Sequence, residues 1–320
     1  MPAETPSAAN ADQRWTVRRI LEWTTAHLRK HGSESPRLDA EILLAYARQC
    51  PRVQLYVQYD QELTDPQRAA MRELVKRRAN REPVAHLVGR REFFSLEFEV
   101  TKDTLTPRPD TETLVVELLE LAKTRRTAFQ GRSQDHVAET DGLGRPSYGV
   151  SILEIGTGTG CIAVSVAVNL PYAKIVATDV SEAALAVARR NAEKHGVADR
   201  IEFLHGDLFA PIPAGAPFDL IVSNPPYIGE HELPKLPEEV SRHEPRAALV
   251  AGPDGLDVIR RLLAESPRHL VPGGSLLFEF APEQAHTVES LATAAGQYAA
   301  VRVVKDLSRA ERVAIATRGE

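Results

Sequence analysis

The chain has 320 residues, a net charge of -5 at pH 7 and an apolar fraction of 43%. That length allows about two domains with a sizeable core, the mild negative charge argues against a general nucleic-acid binder, and no apolar run approaches the roughly 20 residues of a membrane span. Two cysteines, Cys50 and Cys161, argue against a disulfide framework, and no His/Cys cluster has ligand spacing, so no metal is expected.

Residues 1–13 are Ala/Pro/Ser-rich and read as a disordered tail. They lack the basic start and apolar middle of a signal peptide, which makes a cytoplasmic location the expectation. Residues 14–88 read as helical. Val17, Ile20, Leu21 and Leu28 recur near helical spacing, as do Leu38, Ile42, Leu43, Leu44 and Ala47. Ser35-Pro36 and Thr64-Asp65-Pro66 mark helix starts, since proline is tolerated in a first turn. A small helical bundle follows from this. The basic run from Arg68 to Arg91, with Arg72, Lys76, Arg77, Arg78, Arg81 and Arg90 between, reads as a solvated helix face; the alternative is a docking surface for an acidic or RNA-associated partner.

At residues 89–109 the texture changes. Phe93, Phe94, Leu96, Phe98 and Val100 nearly alternate with other residues, predicting a β-hairpin connector. Thr106-Pro107-Arg108-Pro109-Asp110-Thr111-Glu112 then leads into a helix expected to end near Lys123. Residues 124–149 are polar, Gly-bearing and aperiodic, and read as a flexible insertion. The remainder of residues 110–320 alternates. Strands are predicted at 151–155, 174–178, 201–204, 218–223 and 275–280, with helices near 161–169, 181–195, 254–270 and 282–295. The last two strands, 301–305 and 312–316, are too close for a helical crossover and should pair antiparallel. The expected fold is a doubly wound, Rossmann-like α/β sheet with a C-terminal antiparallel hairpin, preceded by the helical bundle.

Two motifs carry the chemistry. Ile152-Leu153-Glu154-Ile155 is a strand running into Gly156-Thr157-Gly158-Thr159-Gly160, a tight turn before a helix. Glycines allow close backbone approach to a ligand, and N–H groups at the helix start can bind polar groups. Asp179 ends the next strand, well placed for ribose hydroxyls. The G-x-G-x-G spacing differs from the G-x-G-x-x-G of dinucleotide sites, and Glu154 would repel a pyrophosphate while suiting the cationic amino-acid end of S-adenosylmethionine. Asp207-Leu208 follows the third strand, where an acidic residue sits near adenine in this fold or caps a turn.

The second motif, Asn224-Pro225-Pro226-Tyr227, ends the strand at 218–223. Amide and exocyclic amine nitrogens are poor nucleophiles because their lone pairs are delocalised. A site that methylates them must hold both N–H hydrogens and aim the lone pair at the methyl. The Asn224 side-chain oxygen and the Pro225 carbonyl can supply two acceptors, the prolines fix φ, and Tyr227 offers a flat face. Such catalysis is mainly positioning and electrostatic fit.

Residues 35–316 resemble the peptide chain release factor glutamine methyltransferases. The resemblance is carried by Arg37-Leu38-Asp39-Ala40-Glu41-Ile42-Leu43-Leu44, Arg77-Arg78-Ala79-Asn80-Arg81-Glu82-Pro83-Val84, the segment from Thr106 to Glu112, His243-Glu244-Pro245-Arg246 and Gly252-Pro253-Asp254-Gly255. It implies a class I methyltransferase sheet and methyl transfer from S-adenosylmethionine to the glutamine of the Gly-Gly-Gln loop of release factors, without sequence-specific nucleic-acid binding. In that frame Glu154, Gly156, Thr157, Gly158, Thr159, Gly160, Asp179, Asp207, Leu208 and Asn224 contact the cofactor. Asn224, Pro225, Pro226 and Tyr227 grip the glutamine, and Arg108 and Glu112 shape the pocket rim. The rival readings are a DNA or RNA adenine methyltransferase, which also suits Asn-Pro-Pro-Tyr, a ribosomal-protein glutamine methyltransferase, and a non-catalytic adaptor on the same fold.

Overall fold

In the computed structural model, which describes residues 14–132, 149–213 and 216–320, the two periodicities of the sequence separate into a helical unit and a sheet unit. The tail at 1–13 and most of the insertion at 124–149 lie outside the described residues. The helical unit runs to Gly89 and takes in Glu238–His243. It contains α1 (Val17–Lys30), α2 (Pro36–Arg48), α3 (Arg52–Val57), α4 (Asp65–Ala79), α5 (Val84–Val88) and one helical turn at Glu238–Ser241. Thr16 caps α1 by accepting from Arg19 N, and Thr64 and Gln67 form a reciprocal capping box at α4. Leu21, Leu28, Leu43, Leu44 and Leu55 are fully buried at the centre.

The basic run is not uniformly solvated. Arg77 and Arg90 do lie exposed beside Glu82 and Glu97. Arg78, however, is only 6% exposed; its Nε donates to Asp39 Oδ2 at 2.8 Å and its Nη1 to Glu239 Oε2 at 2.5 Å. A charge taken out of water must be paired, and Asp39 from α2 supplies the partner. Residues Glu238–His243 cluster with the helices and not with the sheet.

The sheet unit begins with a hairpin, β1 (Arg90–Phe93) against β2 (Leu96–Glu99). Its two turn residues, Phe94 and Ser95, both have positive φ (50° and 61°), as a tight primed turn demands. The main sheet follows the order β5–β4–β3–β6–β7–β9–β8. Its strands are β3 (Val150–Ile155), β4 (Ala173–Asp179), β5 (Ile201–His205), β6 (Phe218–Ser223), β7 (Leu270–Glu279), β8 (Tyr298–Lys305) and β9 (Glu311–Arg318). Strands β3 to β7 pair in parallel, while β9 lies antiparallel to both β7 and β8.

Alternation along each strand divides the core into two layers. Ile152, Leu220, Val222 and Leu277 pack with α6 (Glu112–Arg132), α7 (Cys161–Asn169) and α8 (Glu182–Lys194). Leu153, Ile155, Ile221, Leu276 and Phe278 face the helices Asp257–Glu265 and Ala285–Ala294. The strand order reverses between β3 and β6, so the loops after both strands leave from one crevice.

Two predicted boundaries move. Helix α6 continues past Lys123 to Arg132, and Arg125 in this extension finds partners on the sheet. Arg125 donates to Asp219 Oδ1 at 3.2 Å and to the Gly273 carbonyl, and Thr124 and Thr127 return hydroxyl bonds to Glu120 O and Lys123 O. The single helix expected over 254–270 is shorter: it spans Asp257–Glu265, a 3₁₀ turn follows at Ser266–Arg268, and β7 starts at Leu270. Pro267 lacks the N–H that would continue the helix. Among the described residues no helix is long and apolar enough to cross a membrane, and no group of His, Cys, Asp and Glu is arranged to hold a metal.

Asp219 is 7% exposed and holds both Arg125 and the Ser151 N–H (2.9 Å). Asp219→Ala strands that guanidinium, and we expect it to lower the unfolding free energy by roughly 3–5 kcal/mol, read from the denaturant midpoint at constant slope.

Candidate active site

The loops after β3 and β6 line a cavity of about 450 Å³ within the sheet unit. On one side the loop Gly156 to Gly160 turns sharply. Gly156, Gly158 and Gly160 have φ of 74°, 56° and 78°, left-handed values that side chains seldom adopt. At Gly160 a Cβ would also meet Ala188 Cβ at 3.1 Å, so α8 packs directly on this residue. Asn191, fully buried on α8, donates to Thr159 O and Glu99 O and accepts from Glu99 N. One side chain thereby fastens the glycine loop to the hairpin.

Two carboxylates back the loop. Asp179, at the end of β4, accepts the Gly158 N–H (2.8 Å) on one oxygen and the Ser181 N–H (2.9 Å) on the other. Burial raises its pKa, against the pull of those two N–H groups. Each oxygen keeps a lone pair for a ligand hydroxyl. The helix-capping role belongs to Ser181, whose hydroxyl accepts from Ala184 N. Glu154 is 1% exposed. Its Oε2 accepts from Thr157 Oγ1 (2.8 Å) and Ala163 N (3.1 Å), while Oε1 has no partner among the described residues. Burial lifts this carboxyl to about 8. That oxygen is a buried polar atom of a cavity-lining residue that the fold itself leaves unsatisfied. Leu208 and Asp207 close the far side, and Asp207 is held by Arg261 through two bonds at 2.8 and 3.2 Å.

At the other side Asn224 follows β6, anchored where Ser223 Oγ donates to Ile155 O at 2.9 Å. Asn224 and Pro226 line the cavity; Pro225 is buried behind them. Asn224 Nδ2 donates to Thr111 Oγ1 at 3.0 Å, Thr111 Oγ1 donates to Glu279 Oε2 at 2.7 Å, and the Tyr227 hydroxyl donates to Glu279 Oε1 at 3.0 Å. Tyr227, expected to offer a flat face and to grip the glutamine, is not among the cavity-lining residues; its hydroxyl anchors the loop.

Sequence reasoning passed over Thr111 and Glu279. The available signal was Glu279 itself, a lone charge in the apolar run Leu276-Leu277-Phe278-Glu279-Phe280. Of the two rim residues, Arg108 lines the cavity and pairs with the buried Glu244 at 2.6 Å. Glu112 does not line it. Its carboxylate accepts the Phe94 N–H at 3.0 Å and supports the hairpin turn.

A parallel sheet with antiparallel final strands, a glycine loop backed by two acids and an Asn-Pro-Pro-Tyr loop across one crevice together define a class I methyltransferase. Residues 19–89 match the PrmC N-terminal domain and residues 145–240 the Methyltransferase small domain. The chain is 46% identical over 302 residues to the release factor glutamine methyltransferase of Rhodopirellula baltica, covering 94% of this chain and 96% of that protein. It is 43% identical over 274 residues to the one from Geobacter sulfurreducens, covering 86% and 87%. The chain belongs to the release factor glutamine methyltransferase family and is a protein-glutamine methyltransferase. Among solved structures, the hMettl16 catalytic domain in complex with MAT2A 3'UTR hairpin 6 shares the fold at 16% identity, with a TM-score of 0.53, covering 76% of this chain and 81% of that one.

The Glu154 carboxyl yields a prediction with a definite sign. Between the ordinary 4.5 and about 8 the folded chain holds this proton and the unfolded chain does not, so the group lowers stability as pH rises through that window. Glu154→Gln should therefore gain stability relative to the parent between pH 5 and 8, measured as the difference in melting temperature. A difference that stays flat with pH would refute the assignment.

Proposed function

We propose that the chain transfers the methyl group of S-adenosylmethionine to the side-chain amide nitrogen of the glutamine in the Gly-Gly-Gln motif of peptide chain release factors, in the cytoplasm. The observation that carries this reading is the pairing of Asn224 with the unsatisfied Glu154 Oε1 on two walls of one cavity. S-adenosylmethionine supplies an electrophilic methyl on a sulfonium centre. Glu154 suits its ammonium group and Asp179 its ribose hydroxyls. Asp207 and Leu208 border the place left for adenine.

The chain's own part in the reaction is to hold and orient. Asn224 Oδ1 and the Pro225 carbonyl accept the two hydrogens of the target amide, so its lone pair faces the donor methyl. An amide nitrogen becomes acidic only as its new bond forms, so no strong base is required early. Positioning of this kind can supply several kcal/mol of barrier reduction. The high identity to release factor glutamine methyltransferases over most of the chain supports the substrate.

The direct test uses labelled S-adenosylmethionine with a release factor, the same factor with its Gly-Gly-Gln glutamine changed to alanine, or DNA. Label should enter only the unmodified factor; label in DNA would overturn the reading in favour of an adenine methyltransferase. Asn224→Ala should reduce turnover by at least about 100-fold while cofactor affinity, measured by calorimetry, stays nearly unchanged.

Cofactor binding should also release a proton. A bound ammonium favours the Glu154 carboxylate, whereas the free site is protonated up to about pH 8. Affinity should thus rise by up to about tenfold per pH unit below that point and flatten above it. Glu154→Gln should bind more weakly and lose this dependence.

A further inference from the structure

The geometry assigns Thr111 and Glu279 as positioning residues that dictate which end of the Asn224 amide faces the cavity. This deepens the reading above and rests on it. The requirement is stringent, because an asparagine amide presents an acceptor at one end and two donors at the other. Only the Oδ1 end can hold the hydrogen of a substrate NH2; the Nδ2 end turned inward would oppose it. Nothing in the shape of the side chain decides between the two.

The hydrogen inventory decides. Thr111 Oγ1 carries one hydrogen, and that hydrogen is directed at Glu279 Oε2, 2.7 Å away. Toward Asn224 the hydroxyl therefore has only lone pairs left, and the 3.0 Å contact requires Nδ2 as donor. The amide is turned, and among the described residues Oδ1 accepts nothing. Glu279 is in turn fixed: its second oxygen takes the only hydrogen of Tyr227 at 3.0 Å. The carboxylate is 1% exposed at the end of β7, and Thr111 is 2% exposed, so water does not compete for either. The cation facing this carboxylate is Arg312, itself paired with Asp110 (3.3 Å) and Asp306 (3.3 Å).

The chain of bonds is directional. Without an acceptor at residue 279, the Thr111 hydrogen is released toward Asn224, and the amide gains by rotating to present Oδ1 to Thr111 and Nδ2 to the cavity. Without a hydroxyl at 111, Nδ2 has no partner and the amide is free to turn. Either change strikes the orientation of Asn224 and leaves Glu154, Asp179 and the glycine loop untouched.

The test compares Thr111→Val, Thr111→Ser, Glu279→Leu and the double variant Thr111→Val/Glu279→Leu with the parent enzyme, using the release factor and labelled S-adenosylmethionine. Calorimetric cofactor binding is measured on each as a check that it folds. Thr111→Val should lower kcat about 100-fold with KM and cofactor Kd within about threefold, and Thr111→Ser, which restores the hydroxyl, should recover kcat to within about threefold. Glu279→Leu should fall with Thr111→Val, and the double variant should be no slower than the worse single one, as residues acting through one chain of bonds are not additive. Should Glu279→Leu fail to bind cofactor, the valine and serine variants at 111 decide alone. A Thr111→Val enzyme with parental kcat, a serine variant as slow as the valine one, or a loss confined to cofactor Kd overturns the assignment. A parent enzyme that leaves the release factor unlabelled defeats the functional reading itself, and this assignment with it.

Discussion

The parallel pairing of β3 with β6 is the constraint on which the site depends. Ile155 lies opposite Ser223, and the Ser223 hydroxyl bonds the Ile155 carbonyl at 2.9 Å. These are the last residues of their strands, so the next residue of each chain segment belongs to a loop. One loop contributes glycines, the other Asn224. Neither can shift along its strand without turning every buried side chain of that strand to the wrong layer. The distance between the two functional loops is thus set by backbone hydrogen bonds in the middle of the sheet, the least deformable part of the unit.

Acidic groups then give the crevice its character. Glu154 and Glu279 are withdrawn from water and Asp179 is partly buried, and burial raises the proton affinity of each. They are used differently. Asp179 is satisfied by loop N–H groups and keeps lone pairs in reserve. Glu154 has one oxygen without a partner. Glu279 accepts one hydroxyl on each oxygen and so orients its neighbours. Glu154 and Asp179 lie on adjacent strands, and the Asp179 charge adds to the rise in the Glu154 proton affinity.

Much of this was legible in the sequence, for physical reasons that differ by element. The strands at β3 and β6 were plain because a strand buried on both faces is continuously apolar, and the glycine loop and Asn224 stood at their ends. The sheet's antiparallel finish followed from the short turn between its last two strands. Boundaries that depend on distant partners were not legible. Helix α6 outlasts its apolar stripe because Arg125 meets Asp219, 94 positions away, and no local pattern reports that. Glu112 and Thr111 are neighbours in one motif, yet one supports the hairpin and the other the Asn224 amide; their division of labour depends on side-chain direction, which spacing alone does not give. Arg78 looked like one more exposed cation in a basic run until Asp39 was placed beside it.

The helical unit takes its final carboxylate from far along the chain. Arg78 meets Asp39 from a helix made early, but its second partner, Glu239, is synthesised 161 residues later. At translation rates of about 5–20 residues per second, that interval is on the order of ten to thirty seconds. For that time the nascent bundle carries a guanidinium with one of its two eventual carboxylate partners, and most of a second folding unit is made before the first one is finished. Severing the chain after residue 89 would leave the N-terminal fragment permanently in this incomplete state, so the helical unit depends for its last ion pair on residues made after most of the sheet unit.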